Sequence, residues 1–182
     1  MTRRETILEA ALESLEAGEE VTIDGVRERS GASVGSIYHH FGDKDEILGA
    51  LYVEVLRGYQ ASVVQALQAA PDAEDGIGAL VRNHLHWVES NPERARFLLD
   101  GGPGRERVRK EVEALNRDLF ASIENWVVNQ EEIRPMGREI FFVSVFGPAQ
   151  ALSRSWLARR DGSLREVEDA LAATAWRAVR SD

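Results

Sequence analysis

Hydroxyl, phenol, imidazole and ammonium groups crowd into one short run, Ser33-Val-Gly-Ser-Ile-Tyr-His-His-Phe-Gly-Asp-Lys44. These are hydrogen-bond donors and one cation, a set suited to phosphate oxygens and base edges. They do not suit metal-assisted or nucleophilic chemistry. His39 and His40 are neighbours whose side chains leave a helix about 100° apart, and His84 and His86 leave one about 160° apart, so neither pair shares a metal ion. The chain has no Cys and no H-E-x-x-H pair. The Gly101-Gly-Pro-Gly104 run lacks the flanking strand and the Lys-Ser/Thr ending of a phosphate-binding loop. No Ser/His/Asp triad has local support. The expectation is a protein that binds rather than catalyses, with no metal and no cofactor.

The elements that must hold this run are short helices. Thr22 precedes Ile23 and Val26, where its hydroxyl can cap a helix. Gly31 closes that helix in the left-handed conformation that Gly adopts cheaply, and Ser33 caps a second one that runs to about His40. On a helical wheel Ile37 and Phe41 fall within about 40° of each other and form the buried edge. Gly35 and His39 lie opposite, with Ser36 and Tyr38 on the flanks; Val34 falls nearer the buried edge, so its exposure stays open. Gly35 allows close backbone approach, Ser36 and Tyr38 can bond phosphates or base edges, and His39 can donate to a phosphate or lie against a sugar. Asp43 with Glu46 is a capping-box-like start to the next helix. Lys44, in its first turn, suits a phosphate. Two helices at a short turn, the second carrying the exposed donors, make a helix-turn-helix unit that docks in the DNA major groove.

The run from Gly31 to Leu48, above all Ser36-Ile-Tyr-His-His-Phe-Gly-Asp-Lys-Asp-Glu-Ile-Leu48, resembles the N-terminal signature of the tetracycline-repressor-like (TetR) family of bacterial transcriptional regulators. The likeness covers about the first quarter of the chain. It implies a three-helix DNA-binding domain followed by a larger helical effector-binding and dimerisation domain. It further implies a homodimer on near-palindromic double-stranded operator DNA, released by a small-molecule effector. By position in the motif it implies Thr22, Ser33, Val34, Gly35, Ser36, Tyr38, His39 and Lys44 as DNA-contacting residues. Family members often carry a larger or polar residue where this chain has Gly35, so one base contact is absent.

Charge runs against a strongly basic nucleic-acid binder. The 182-residue chain has net charge −9, with 22 basic and 31 acidic residues. Residues 1–46 hold Arg3, Arg4, Arg27, Arg29 and Lys44 against eleven acids. Six of the acids, Glu5, Glu9, Glu13, Glu16, Glu19 and Glu20, lie on or just after the first helix, where they can point away from the groove. The expectation is weak non-specific binding with few phosphate contacts. No apolar run reaches membrane-spanning length and the N-terminus lacks a signal-peptide core, which points to the cytoplasm and to no membrane partner. The acidic start and Gly35 keep a second reading open: a helical interaction protein of the same fold that has lost DNA binding.

Periodicity along the chain predicts an all-α fold of about nine helices, divided into a DNA-binding domain at 1–46 and an effector-binding and dimerisation domain at 47–182. The expected helices cover about 3–17, 23–30, 34–40, 44–70, 77–90, 92–99, 105–129, 135–159 and 164–179. A loop is expected at 71–76, a breaker at 101–104, and a capping box at Ser163 and Glu166 for the last helix. The last two helices carry apolar residues on more than one face. Val145, Ala149, Leu152, Trp156, Leu171 and Ala175 are the expected dimer contacts, in a four-helix bundle formed with a second copy. His84, Trp87, Phe97, Phe120, Trp126, Phe142 and Phe146 are candidate walls of a ligand pocket for an apolar or aromatic effector.

Overall fold

The computed structural model describes residues 1–101 and 104–181. Among them the helices are α1 (Arg3–Glu16), α2 (Ile23–Ser30), α3 (Val34–His40), α4 (Lys44–Gln68), α5 (Ala73–Ser90), α6 (Pro92–Asp100), α7 (Arg109–Val127), α8 (Arg138–Arg159) and α9 (Glu168–Val179). Short 3-10 turns, Arg105–Val108 and Leu164–Val167, lead into α7 and α9. No helix of the described residues is long and apolar enough to cross a membrane. The chain forms two compact units: Met1–Gly58 with Glu93–Leu115, and Tyr59–Pro92 with Asn116–Asp182. The boundary expected at 46/47 falls in the first turn of α4, and the division of that helix between the units falls after Gly58.

In the first unit, α1, α2 and α3 close around Ile7, Ala11, Val26, Ile37 and Phe41, with Ile47 and Leu51 of α4 equally buried. Each of the larger side chains contributes roughly 1.5–3 kcal/mol by leaving water. The helix starts follow the capping residues. The Thr2 hydroxyl accepts from the Glu5 N–H, and the Glu5 carboxylate accepts from the Thr2 N–H at 2.7 Å. Thr22 and Ser33 accept from Gly25 and Ser36, both at 3.1 Å, and the Asp43 carboxylate accepts from the Glu46 N–H at 2.9 Å. Gly31 ends α2 at φ 62°, a left-handed residue where a side chain would be strained. The Ser30 hydroxyl donates to the Val26 carbonyl and accepts from the Ala32 N–H, so the turn between α2 and α3 is held on both sides. A separate cluster in this unit packs Tyr52, Val53, Leu56 and Val112 against Phe97, Leu98, Val108 and Leu115.

In the second unit α5, α8 and α9 pack on one another, burying Ile77, Leu80, Leu85, Val145 and Val179. Three expectations need correction here. Residues 73–76 are helix, not loop: the Asp72 carboxylate accepts from the Asp75 N–H at 2.8 Å and starts α5 at Ala73. Gly76 is therefore no turn residue. A Cβ there would lie 2.2 Å from the Trp126 ring, so the glycine is a notch for the indole. Pro135 does not open α8, which begins at Arg138. Residues 132–134 instead pair with the end of the chain: Ile133 bridges Arg180, the Arg134 N–H donates to the Val179 carbonyl, and the Ser181 N–H donates to the Glu132 carbonyl. A residue before proline already prefers that extended conformation. Finally, Ser163 does not form the expected box with Glu166. Its oxygen accepts from the Arg165 N–H, and its hydroxyl donates to Glu89 of α5 at 2.6 Å. Glu89, which also accepts from the Leu164 N–H and Arg165, has its carboxyl held below the usual range, first by the Ser163 hydroxyl. Gly102 and Pro103 of the expected breaker lie outside the described residues; the flanking Gly101 and Gly104 both have positive φ.

Candidate nucleic-acid interface

α3 presents its donors as the helical wheel places them. Ile37 and Phe41 are fully buried, whereas Val34 is 40% exposed and Tyr38 47% exposed. Gly35 and His39 are exposed, and Ser36 is half-buried. The open question about Val34 is settled by its place in the first turn, on the solvent side. Nothing stands within 4 Å of where a Gly35 side chain would be, so the backbone there is open to an approaching surface. Thr22 and Ser33 use their oxygens as cap acceptors, which leaves each hydroxyl hydrogen to donate outward. Thr22, Ser33, Val34, Gly35, Ser36, Tyr38 and His39 thus belong to the starts of α2 and α3 or to the exposed face of α3, and Lys44 begins α4 directly after it.

The electrostatics differ from a simple basic face. Glu19 and Glu20, in the loop after α1, do not point away from the cations. Glu19 pairs with Arg29 at 2.7 Å and Glu20 with Lys44 at 2.6 Å. The hydrogen bond and charge of Lys44 hold the Glu20 carboxyl below the usual carboxylate range. Arg94 is bound to Glu16, Arg107 to Asp43 at 2.8 Å, and Arg4 lies 4.7 Å over the Phe41 ring. Spacing along one helix does not reveal these pairings, because each joins residues from different elements.

Residues 7–51, from α1 into α4, match the family model of bacterial regulatory proteins of the tetR family. This N-terminal stretch is a TetR-family domain. It is 40% identical over 73 residues to the transcriptional regulator BetI of Burkholderia mallei, a match covering 39% of this chain and 37% of that protein. It is 30% identical over 112 residues to BetI 1 of Chromohalobacter salexigens, covering 60% of this chain and 47% of the relative. The matched region thus spans less than half the length of these curated relatives. Among solved structures, the TetR-family regulator PfmR of Thermus thermophilus superposes with a TM-score of 0.64 at 25% identity, over 94% of this chain and 97% of that one.

The second unit has a polar and aromatic interior. Buried His84 is held from both sides: Nδ1 lies 2.8 Å from the Tyr59 hydroxyl and Nε2 lies 3.2 Å from the Ser153 hydroxyl. Burial pushes its pKa down to about 4 and pushes that of Tyr59 up. A neutral imidazole supplies one donor and one acceptor, which suits two hydroxyl neighbours. Trp87 packs on Tyr59 at 4.8 Å, and Phe146 meets the His84 ring edge-on. Phe142 stacks on Phe146 with centroids 5.8 Å apart and meets Phe120 edge-on at 4.6 Å. Trp126 fills the Gly76 notch instead. Phe97 is not brought to this group: it lies in the first unit, 5.9 Å from Tyr52. An open cavity of about 490 Å³ borders the end of α7 and the start of α8, lined by Ile123, Val127, Ile133, Met136, Phe141 and Phe142 together with the polar Glu124, Gln130, Arg134 and Arg138.

The six expected dimer contacts also separate. Val145, Ala149 and Ala175 are buried within the chain itself, and Leu152, Trp156 and Leu171 are half-buried. The apolar residues that α8 turns outward are Ile140, 60% exposed, and Val143, 69% exposed. Pro148 and Ala151 continue that exposed surface. The sequence pattern alone could not separate these sets, because α8 carries apolar residues on more than one face.

Proposed function

We propose that this chain is a transcriptional repressor that binds a near-palindromic operator as a homodimer and is released by a small apolar or aromatic effector. The observation that carries the reading is the α3 surface, where Tyr38, His39 and Ser36 surround an unobstructed Gly35 on a helix whose other side is fully buried. Tyr38 and His39 supply contacts to base edges and the backbone, and Thr22, Ser33 and Lys44 anchor phosphates. The exposed Ile140 and Val143 side of α8 supports pairing with a second copy in a four-helix bundle. The 490 Å³ cavity and the adjoining cluster of Phe120, Phe142 and Phe146 support an apolar effector in the second unit. Because α4 contributes to both units, occupation of the second unit shifts the population of α4 states and lowers operator affinity.

A genome-wide binding selection with purified protein tests the reading, with the Tyr38→Ala/Lys44→Ala double variant as control. Recovery of one near-palindromic site that the variant fails to select supports it. Folded wild-type protein that enriches no sequence at low salt favours the alternative, an interaction protein of the same fold without DNA binding. The observation in favour of that alternative is the pairing of Arg29 and Lys44 with carboxylates of the same chain.

A further inference from the structure

The loop between α1 and α2 has a defined geometry. Gly18 takes a left-handed φ of 72°, and the Glu19 N–H donates to the Ser14 carbonyl at 3.0 Å. Val21 is buried and anchors the far end. Between these fixed points Glu20 extends an exposed carboxylate onto the Lys44 ammonium at 2.6 Å, across 24 residues of sequence. Lys44 is the cation that follows the exposed helix α3, and its partner is an oxyanion of the kind a nucleic-acid backbone offers.

We propose that Glu20 is an intramolecular substitute for a DNA phosphate, occupying Lys44 in the free protein and giving it up only when a duplex docks. The inference rests on the DNA-binding reading above. When Lys44 transfers from the carboxylate to a phosphate, the freed Glu20 carboxylate stays beside the DNA backbone, so the pair brings no net charge to the duplex. A neutral pair displaces little of the condensed counterion atmosphere of DNA and adds little to the salt dependence of binding. The contact is blind to base sequence. Glu20 therefore lowers affinity for all duplexes alike and lets base contacts on α3 decide where the protein stays.

The test compares wild type with Glu20→Gln, Lys44→Gln and the double variant. Binding is measured by fluorescence anisotropy on a selected operator duplex and an unrelated duplex, over a series of salt concentrations, and thermal melting confirms folding. The expected result is tighter binding of Glu20→Gln to both duplexes by about three-fold per subunit, with their ratio unchanged. The log–log salt slope should steepen by about 0.9 per subunit in Glu20→Gln, and not when Lys44 is also replaced. A Glu20→Gln variant with the wild-type slope, while wild type binds its operator, overturns the inference and leaves the DNA-binding reading intact. The same steepening with and without Lys44 overturns it too, because Glu20 would then act only as a diffuse repulsive charge. Binding of no duplex by wild type or by Glu20→Gln defeats both the inference and the DNA-binding reading.

Discussion

At the residue scale, two glycines on helices make opposite demands. Gly35 faces open space, whereas Gly76 faces the Trp126 ring. Gly35→Ala should raise stability by about 0.5–1 kcal/mol, the helix-propensity difference, and, under the proposed function, weaken operator binding because the added methyl would stand on the face proposed to meet DNA. Thermal melting and anisotropy read the two effects separately; weaker folding together with unchanged binding would contradict the placement of Gly35. Gly76→Ala should lose about 1–3 kcal/mol by overpacking, since the indole must move. His84 gives a pH dependence with a definite sign. Its pKa falls from 6.5 to about 4 on burial, so the unfolded chain binds a proton that the folded chain refuses. Stability from this group is full above about pH 6.5 and is lost as pH falls towards about 4, by up to about 3 kcal/mol. Urea unfolding at pH 7 and pH 5 should show a larger loss for wild type than for His84→Gln, with carboxylate effects common to both. Equal losses would mean that His84 is accessible to protons in the folded state.

At the scale of elements, the capping residues explain most helix starts and one misreading. Thr2, Thr22 and Ser33 act as the sequence suggests because their partners are three residues away, within the reach of local chemistry. Asp72 obeys the same rule, but Gly76 four residues later looks like a loop signal unless Trp126 is known to pack on it. Asp72→Ala should accordingly cost about 1 kcal/mol through the lost cap, measured by chemical denaturation. An unchanged midpoint would show that packing alone starts α5 at Ala73. Ser163 illustrates the reverse case, a correct local cap residue whose hydroxyl is taken by Glu89 from α5. The Pro135 segment departs from its helical pattern for a similar reason: the backbone partners of residues 132–134, Val179 and Ser181, lie far along the chain.

At the scale of the whole molecule, net charge −9 sets the expected salt response. Few uncompensated cations means few counterions released, so the log–log slope for operator binding should be shallower than about −8 per dimer. A steeper slope would show that cations beyond the internally paired Arg29 and Lys44 reach the backbone. The outward Ile140 and Val143 of α8 make a second whole-molecule prediction. Val143→Glu should yield a folded monomer in sedimentation, because a like charge on each copy would be forced together at the centre of a twofold interface. An intact dimer would move the interface away from this side of α8.

The all-α fold, the helix-turn-helix unit with its family signature, and the exposed donor face of α3 are legible in the sequence. These depend on interactions between residues three or four apart, or on a contiguous motif, and both are visible in one dimension. Tertiary structure alone decided which carboxylate holds which cation, which apolar face of α8 turns inward, and which aromatics share an interior. Glu20 reaches Lys44, Trp126 reaches Gly76 and Phe97 joins Tyr52 only through folding of distant segments. Helical periodicity says that a side chain belongs to a face; it does not say which other element that face will meet.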